Sequence, residues 1–194
     1  MREYIDHTFE EGIRLRQHCA GILHDPLMEA AKLMTTCLSA GGKILACGNG
    51  GSAADAQHFA GELVNRFEGD RPGLASVALT HDASVITSIA NDISFEQVYA
   101  RQVQALGREG DVLLLISTSG DSPNVLAAAD TAAEIGMPVI ALTGRNGGAL
   151  GHHAAVTVHL NIPHASTPRV QEMHITCLHI LCGIIDQTLF GANS

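Results

Sequence analysis

The sequence predicts an α/β protein of one domain, residues 1–194, built on a single doubly wound, five-stranded parallel sheet preceded by N-terminal helices. Three observations predict it. Five short apolar runs stand out: KILAC at 43–47, ASVAL at 75–79, DVLLLIS at 111–117, PVIALT at 138–143 and AVTVHL at 155–160. Most are apolar almost throughout, as central parallel strands covered on both faces must be. Amphipathic stretches alternate with them, which calls for right-handed helical crossovers. The length of 194 residues fits one such domain.

The elements follow in order. Two helical patterns open the chain, at 2–23 and 26–40, and Asp25-Pro26 suits an N-cap followed by proline at the first helical position. Residues 1–40 are therefore expected to form a helical segment used for packing and oligomerisation, ahead of an α/β core over 41–190. Between the strands, helices are expected at 52–67, 83–106 and 122–136, with a long last one at 167–190. In doubly wound sheets the ligand lies beyond the C-terminal strand ends, where the strand order reverses. The chemistry is thus expected in the turns after Cys47, Leu79 and Ile116.

Composition narrows the function. The chain carries 11 Lys+Arg against 20 Asp+Glu, a formal charge of −9, and has no basic run. That excludes a nucleic-acid backbone as partner. A hydrophobic share of 46 % with 16 % charged residues excludes disorder. Five Phe, two Tyr and no Trp leave little for stacking on bases or sugars. The N-terminus MREYIDHTFEEG lacks the apolar stretch of a signal peptide, and no membrane span is expected. Cys19, Cys37, Cys47, Cys177 and Cys182 are scattered in apolar patterns without a C-x-x-C pair, as small buried residues of a reducing compartment would be. These features predict a cytoplasmic protein. Any phosphate it holds must be gripped by backbone N–H groups and hydroxyls.

Two turns offer that grip. Gly48-Asn49-Gly50-Gly51-Ser52-Ala53 follows the first strand and opens a helix. Its G-x-G-x-x-A pattern matches a dinucleotide fingerprint in the glycines alone. The ribose-binding acid, about 20 residues on, would fall at Glu68–Asp70, before the second strand begins. A small anion at the helix N-terminus and a purely structural glycine turn both remain open. The second turn, Ser117-Thr118-Ser119-Gly120-Asp121-Ser122, follows the strongest strand and opens the helix at Pro123. Ser122 before Pro123 also reads as a plain N-cap. Capping cannot use Ser117, Thr118 and Ser119 together, so the turn reads as an uncharged phosphate nest. No G-x-x-x-x-G-K-[ST] is present, which argues against nucleoside triphosphates.

The strand–Ser-Thr-Ser-Gly-x-Ser–helix turn is similar to the sugar-phosphate signature of the sugar isomerase (SIS) domain family. CGNGGSAADAQHFAGEL, SIANDISF, GDVLLLISTSGDSPNV, ALTGRNGG and RVQEMHITCLHIL together resemble its phosphoheptose isomerases, over about Gly41 to Phe190. The resemblance implies a SIS-type, flavodoxin-like sheet. It implies an aldose–ketose isomerase that converts sedoheptulose 7-phosphate to D-glycero-D-manno-heptose 7-phosphate, toward the heptose of lipopolysaccharide or related glycans. The substrate would be held by Asn49, Gly50, Gly51, Ser52, Glu62, Asn91, Asp92, Ser117, Thr118, Ser119, Ser122 and Gln171. A homotetramer with active sites between protomers is implied as well. The competing reading is a non-catalytic SIS tetramer resembling the DnaA initiator-associating protein.

His58 and Glu62 lie four apart and share one face of their helix. Taken alone they read as an exposed pair. The resemblance makes them metal ligands, with Glu62 also the general base and Gln171 and His179 completing a site for one zinc per subunit. His179 would then be the general acid as well. Moving a proton between adjacent carbons, and another between their oxygens, needs such groups. One tension is geometric: eight residues separate Gln171 from His179 by about 12 Å along a helix axis. His174 is the substitute for His179. Arg169 is placed near substrate by the resemblance. His152-His153, on an irregular turn, does not read as a metal pair, and His81-Asp82 is left without a role. Gly61, in mid-helix, is expected to permit close backbone packing.

Overall fold

The computed structural model describes residues 1–191. Helices α1 (Arg2–Ile22) and α2 (His24–Ser39) precede β1 (Ile44–Gly48), α3 (Gly51–Val64) and β2 (Ser76–Ala78). Then come α4 (Ala83–Asp92), a 3-10 turn (Phe95–Gln97), α5 (Ala100–Leu106), β3 (Val112–Ser117) and α6 (Pro123–Ile135). The chain ends with β4 (Val139–Gly144), the short α7 (Gly148–Gly151), β5 (Val156–Ile162) and α8 (Thr167–Phe190).

The five strands form one sheet in the order β2-β1-β3-β4-β5, and each neighbouring pair is parallel. This is the flavodoxin-like doubly wound order, whose switch point lies between β1 and β3. Every residue of β1, β3 and β4 is buried, as continuous apolar runs require. Helices cover both faces. On one side Ile44, Ala46, Leu114 and Ile116 pack with Met34, Phe59, Cys177 and Leu181 of α2, α3 and α8. On the other, Leu45, Leu113 and Leu115 pack with Val103, Val125 and Ala129 of α5 and α6.

Two expectations are corrected and one is qualified. The helix read over 83–106 is broken: Ile93 (φ −122°, ψ −83°) leaves the helical region, Ser94 is extended, and a 3-10 turn precedes α5. The break lets Tyr99 reach the sheet, where it is buried. Leu23, not Asp25, is the N-cap of α2. Asp25 and Pro26 fall within the first turn, where a missing N–H costs no intrahelical bond. Finally, α8 is the one helix among the described residues long and apolar enough to cross a membrane, with a mean hydropathy of 1.3 over its window. Core packing accounts for that character, because Val170, Met173, Cys177, Leu178, Leu181 and Ile185 are buried against the sheet.

Candidate active site

The loops after β1 and β3 flank the switch point, and a side-chain clasp joins them. Asn49 Nδ2 donates to Asn124 Oδ1 at 2.8 Å, and Asn124 Nδ2 donates back to Asn49 Oδ1 at 2.9 Å. Tyr99 Oη donates to the Gly48 carbonyl at 2.5 Å, and burial pushes its hydroxyl well above the usual phenol range. Sequence reasoning missed Asn124 and Tyr99. An asparagine one residue after a proline N1, and a tyrosine in an assumed helix, carry no local signal of a turn 50 to 75 residues away.

The glycine turn carries no side-chain cap. Gly50 is the N-cap of α3 at φ 58°, a left-handed conformation that explains the glycine. The turn closes on itself, the Ser52 N–H donating to the Asn49 carbonyl and the Ala53 N–H to the Gly50 carbonyl, both at 3.0 Å, so that an anion there would meet the N-terminal end of the α3 dipole. In the serine turn, Ser117 Oγ lies 3.1 Å from Ser122 Oγ and accepts from the Gly120 N–H at 3.2 Å. Ser119 Oγ accepts from the Asp121 N–H at 3.1 Å. Ser122 is indeed the N-cap of α6, followed by Pro123, yet its hydroxyl makes no cap bond. That hydroxyl points into the nest instead.

The chemically active cluster sits between α3 and α8. His58 Nε2 is 3.0 Å from Glu62 Oε1 and 3.2 Å from His179 Nε2. One ligand atom from each of the three lies within 4.8 Å of the others. A tetrahedral zinc with bonds of about 2.0–2.1 Å sets its donors roughly 3.3 Å apart, close to the two separations from His58. Two imidazole nitrogens aimed at each other across 3.2 Å also suit a shared cation. Phe67 lies against His179 with ring centroids 5.5 Å apart. The His58 side chain is 46 % exposed and that of Glu62 24 %, so the cluster opens outward.

Gln171 stands apart from the other three expected ligands. Its carboxamide rests on the glycine turn, where a Cβ on Gly51 would lie 2.3 Å from Nε2. Eight residues of helix hold it about 12 Å along the axis from His179. Within the chain it is a neighbour of the glycine turn, and the spacing tension seen in the sequence persists.

Other expectations resolve clearly. His174 does not replace His179: it is fully buried, and Nε2 donates to the Thr143 carbonyl at 3.0 Å. Burial holds its pKa down to about 4, the Thr143 carbonyl pulling the other way. Arg169 turns away from the switch point. It pairs with Glu172 at 2.9 Å and donates to the Thr8 carbonyl at 3.3 Å, tying α8 to α1. Asn91 Nδ2 donates to Asp92 Oδ1 at 2.7 Å, and both are exposed at the end of α4 without a hydrogen bond to either turn. Thr118 stays in the serine turn between Ser117 and Ser119. His153 pairs with Asp130 at 3.3 Å, not with a metal partner. Asp82 caps α4 through the Val85 N–H at 3.0 Å. Together with His81 it lines an open cavity of about 650 Å³ at the β2 edge and away from the cluster. Gly61 is exposed, and a methyl group in place of its α-hydrogen would meet nothing within 4 Å, so no close packing within the chain explains it.

Comparison with known proteins gives the family. The SIS domain family pattern matches residues 9–144. A phosphoheptose isomerase of Methylibium petroleiphilum is 52 % identical over 192 residues, covering 98 % of this chain and 96 % of that protein. The chain belongs to the SIS domain family, among its phosphoheptose isomerases. Two solved members of that family share its fold. The enzyme from Neisseria gonorrhoeae superposes with a TM-score of 0.90 at 50 % identity, covering 96 % of this chain and 98 % of its own. The one from Francisella tularensis gives 0.91 at 45 %, covering 95 % and 97 %.

Proposed function

We propose that the protein is a zinc-dependent aldose–ketose isomerase that converts sedoheptulose 7-phosphate to D-glycero-D-manno-heptose 7-phosphate through an enediol(ate). The product would serve heptose biosynthesis for lipopolysaccharide or related glycans. The observation that carries this reading is the convergence of His58, Glu62 and His179 from helices 121 residues apart. Full-length identity near one half to phosphoheptose isomerases supports the substrate class.

The roles follow from placement. The glycine turn (Asn49, Gly50, Gly51, Ser52) and the serine turn (Ser117, Thr118, Ser119, Ser122) bind the phosphate and sugar hydroxyls with N–H and O–H donors. Asn91, Asp92 and Gln171 add polar contacts. Glu62 takes the proton from one reacting carbon and returns it to the neighbour, and His179 serves the two oxygens. One zinc per subunit would be held by His58, Glu62 and His179, with Gln171 supplied from a neighbouring subunit as fourth donor, and would supply Lewis-acid stabilisation to the oxygens that gain charge. An adaptor resembling the DnaA initiator-associating protein is not favoured, because it has no use for a carboxylate clustered with two imidazoles.

The working form is a cytoplasmic homotetramer with active sites at subunit interfaces. The outward opening of the cluster supports this. So does the exposed stripe of Ile5, Phe9 and Ile13 on α1, at 52, 70 and 56 %, which a second copy would cover.

Metal analysis of protein purified without chelator, paired with isomerase assays before and after chelation, tests the proposal. One zinc per chain, activity lost on chelation and restored by zinc, is the expected result. Undiminished interconversion in fully demetallated protein would overturn the metal's role, and no interconversion under any loading would overturn the function.

A further inference from the structure

Arg71-Pro72-Gly73 belongs to the irregular stretch between α3 and β2 and runs past the C-terminal end of α3. That end has no glycine cap: its C-cap, Asn65, sits at φ −90° and ψ −88°. Arg71 supplies donors there, beside the Leu74 N–H, which donates to the Leu63 carbonyl at 2.9 Å. Its Nη2 donates to the Glu62 carbonyl at 2.8 Å and its Nη1 to the Leu63 carbonyl at 2.8 Å. Nη1 also reaches the Pro72 carbonyl at 3.1 Å, and Nε donates to Asp186 Oδ1 of α8 at 2.8 Å. The two charged side chains are 1 % and 8 % exposed. Phe190 covers the guanidinium, its ring centroid 5.9 Å away.

A buried ion pair is a poor source of stability, since desolvation costs about as much as the attraction returns. Its geometry is the informative part. The arginine holds the backbone of Glu62 itself. Its partner, Asp186, lies seven residues after His179, two turns along the same face of α8. Cys182 sits in this seam, its thiol pushed up to about 12 by burial and then by the charges of Glu62 and Asp186. At the other end of the seam, Gln171 rests on Gly51. The cluster lies between these two contacts, only one of which is ionic and fixed in direction.

We infer that Arg71 and Asp186 are positioning residues that lock α3 to α8, so that Glu62 and His58 on one helix meet His179 on the other at metal-binding distance. They touch neither substrate nor metal. The inference rests on the metal-dependent isomerase reading above.

The test uses the full-length protein and two variants. Arg71→Met with Asp186→Leu removes both charges at similar volume, an exchange that buried ion pairs commonly tolerate without loss of fold. Arg71→Lys keeps a charge for Asp186 and loses the forked hold on the Glu62 and Leu63 carbonyls. Zinc affinity is measured by competition with a chromogenic chelator, beside thermal melts and steady-state kinetics at saturating zinc. In both variants zinc affinity and kcat are expected to fall by about 10–100-fold, as for other residues that orient metal ligands. KM for the sugar phosphate should stay within about twofold, because the phosphate turns lie at the far end of α3. A merely structural role would lower the melting temperature and leave zinc affinity and kcat of the folded protein unchanged, and that result overturns the inference. If the double variant does not fold, Arg71→Lys carries the same expectation and the same refutation. Native protein that binds no zinc overturns the metal reading and the inference with it, whereas native binding matched by both variants overturns the inference alone.

Discussion

Gly120→Ala places the heaviest demand on the serine turn. Gly120 has φ +73°, and a Cβ there would lie 1.9 Å from the Gly147 carbonyl oxygen, 2.6 Å from its carbon and 3.0 Å from Gly148 Cα. All three are backbone atoms, so no side-chain rotation relieves the clash. The left-handed conformation costs an alanine about 1–2 kcal/mol. The two loops must then part by more than an ångström, which breaks the bond from the Leu150 N–H to the Gly120 carbonyl, now 2.8 Å. That loss is worth about 1 kcal/mol, and residual overpacking adds about 1–3 kcal/mol. The total, about 3–6 kcal/mol, corresponds to a melting temperature lowered by roughly 6–24 °C for a chain of this size. Urea and thermal melts measure the stability, and KM for the sugar phosphate reports the turn, because the Gly120 N–H is bound to Ser117 Oγ. Gly51→Ala is the internal control. Its Cβ meets only the tip of Gln171, which can swing aside, so the fold should be kept. A Gly120→Ala protein within about 0.5 kcal/mol of native stability, with unchanged KM, would refute the turn's geometry.

Removing the clasp between the two turns should separate binding from chemistry. Asn124→Ala leaves the Asn49 amide without its partner at a site 2 % exposed, at a cost of about 1–3 kcal/mol. KM for the sugar phosphate should rise and kcat stay near native, since Glu62 and His179 are untouched; initial-rate kinetics check both. Acid should also find His174. Its pKa is lowered from 6.5 to about 4 in the folded protein, so the unfolded chain takes up a proton first as pH falls. The neutral form's contribution is complete above about pH 7 and declines between 6.5 and 4, by about 3 kcal/mol in all. Urea midpoints across that range should fall more steeply in native protein than in His174→Gln.

The sheet was legible because parallel strands are written as unbroken apolar runs, and each observed strand falls within two residues of its run. The glycine and serine turns were legible in the same way, because glycine, serine and threonine crowd together at the two strand-to-helix junctions that flank the switch point. The break at Ile93–Ser94 was not, since no proline or glycine marks it; burial of Tyr99 against the sheet decides it. Spacing alone also paired His58 with Glu62, but it could not bring His179 to them, nor show that Gln171 settles on Gly51. The Arg71–Asp186 pair, 115 residues apart, has no local signature whatever. Contacts between α3 and α8 are tertiary facts, and periodicity within one helix records only which face is turned inward.

The proposed chemistry turns on the Glu62 carboxylate beside His58, which moves the carbon-bound proton. The most direct measurement compares initial rates of sedoheptulose 7-phosphate isomerisation by native protein and by Glu62→Gln at equal zinc content. A loss of about 10²–10⁴-fold in kcat is predicted, the size expected for a general base. A zinc-loaded Glu62→Gln protein turning over at the native rate would contradict it.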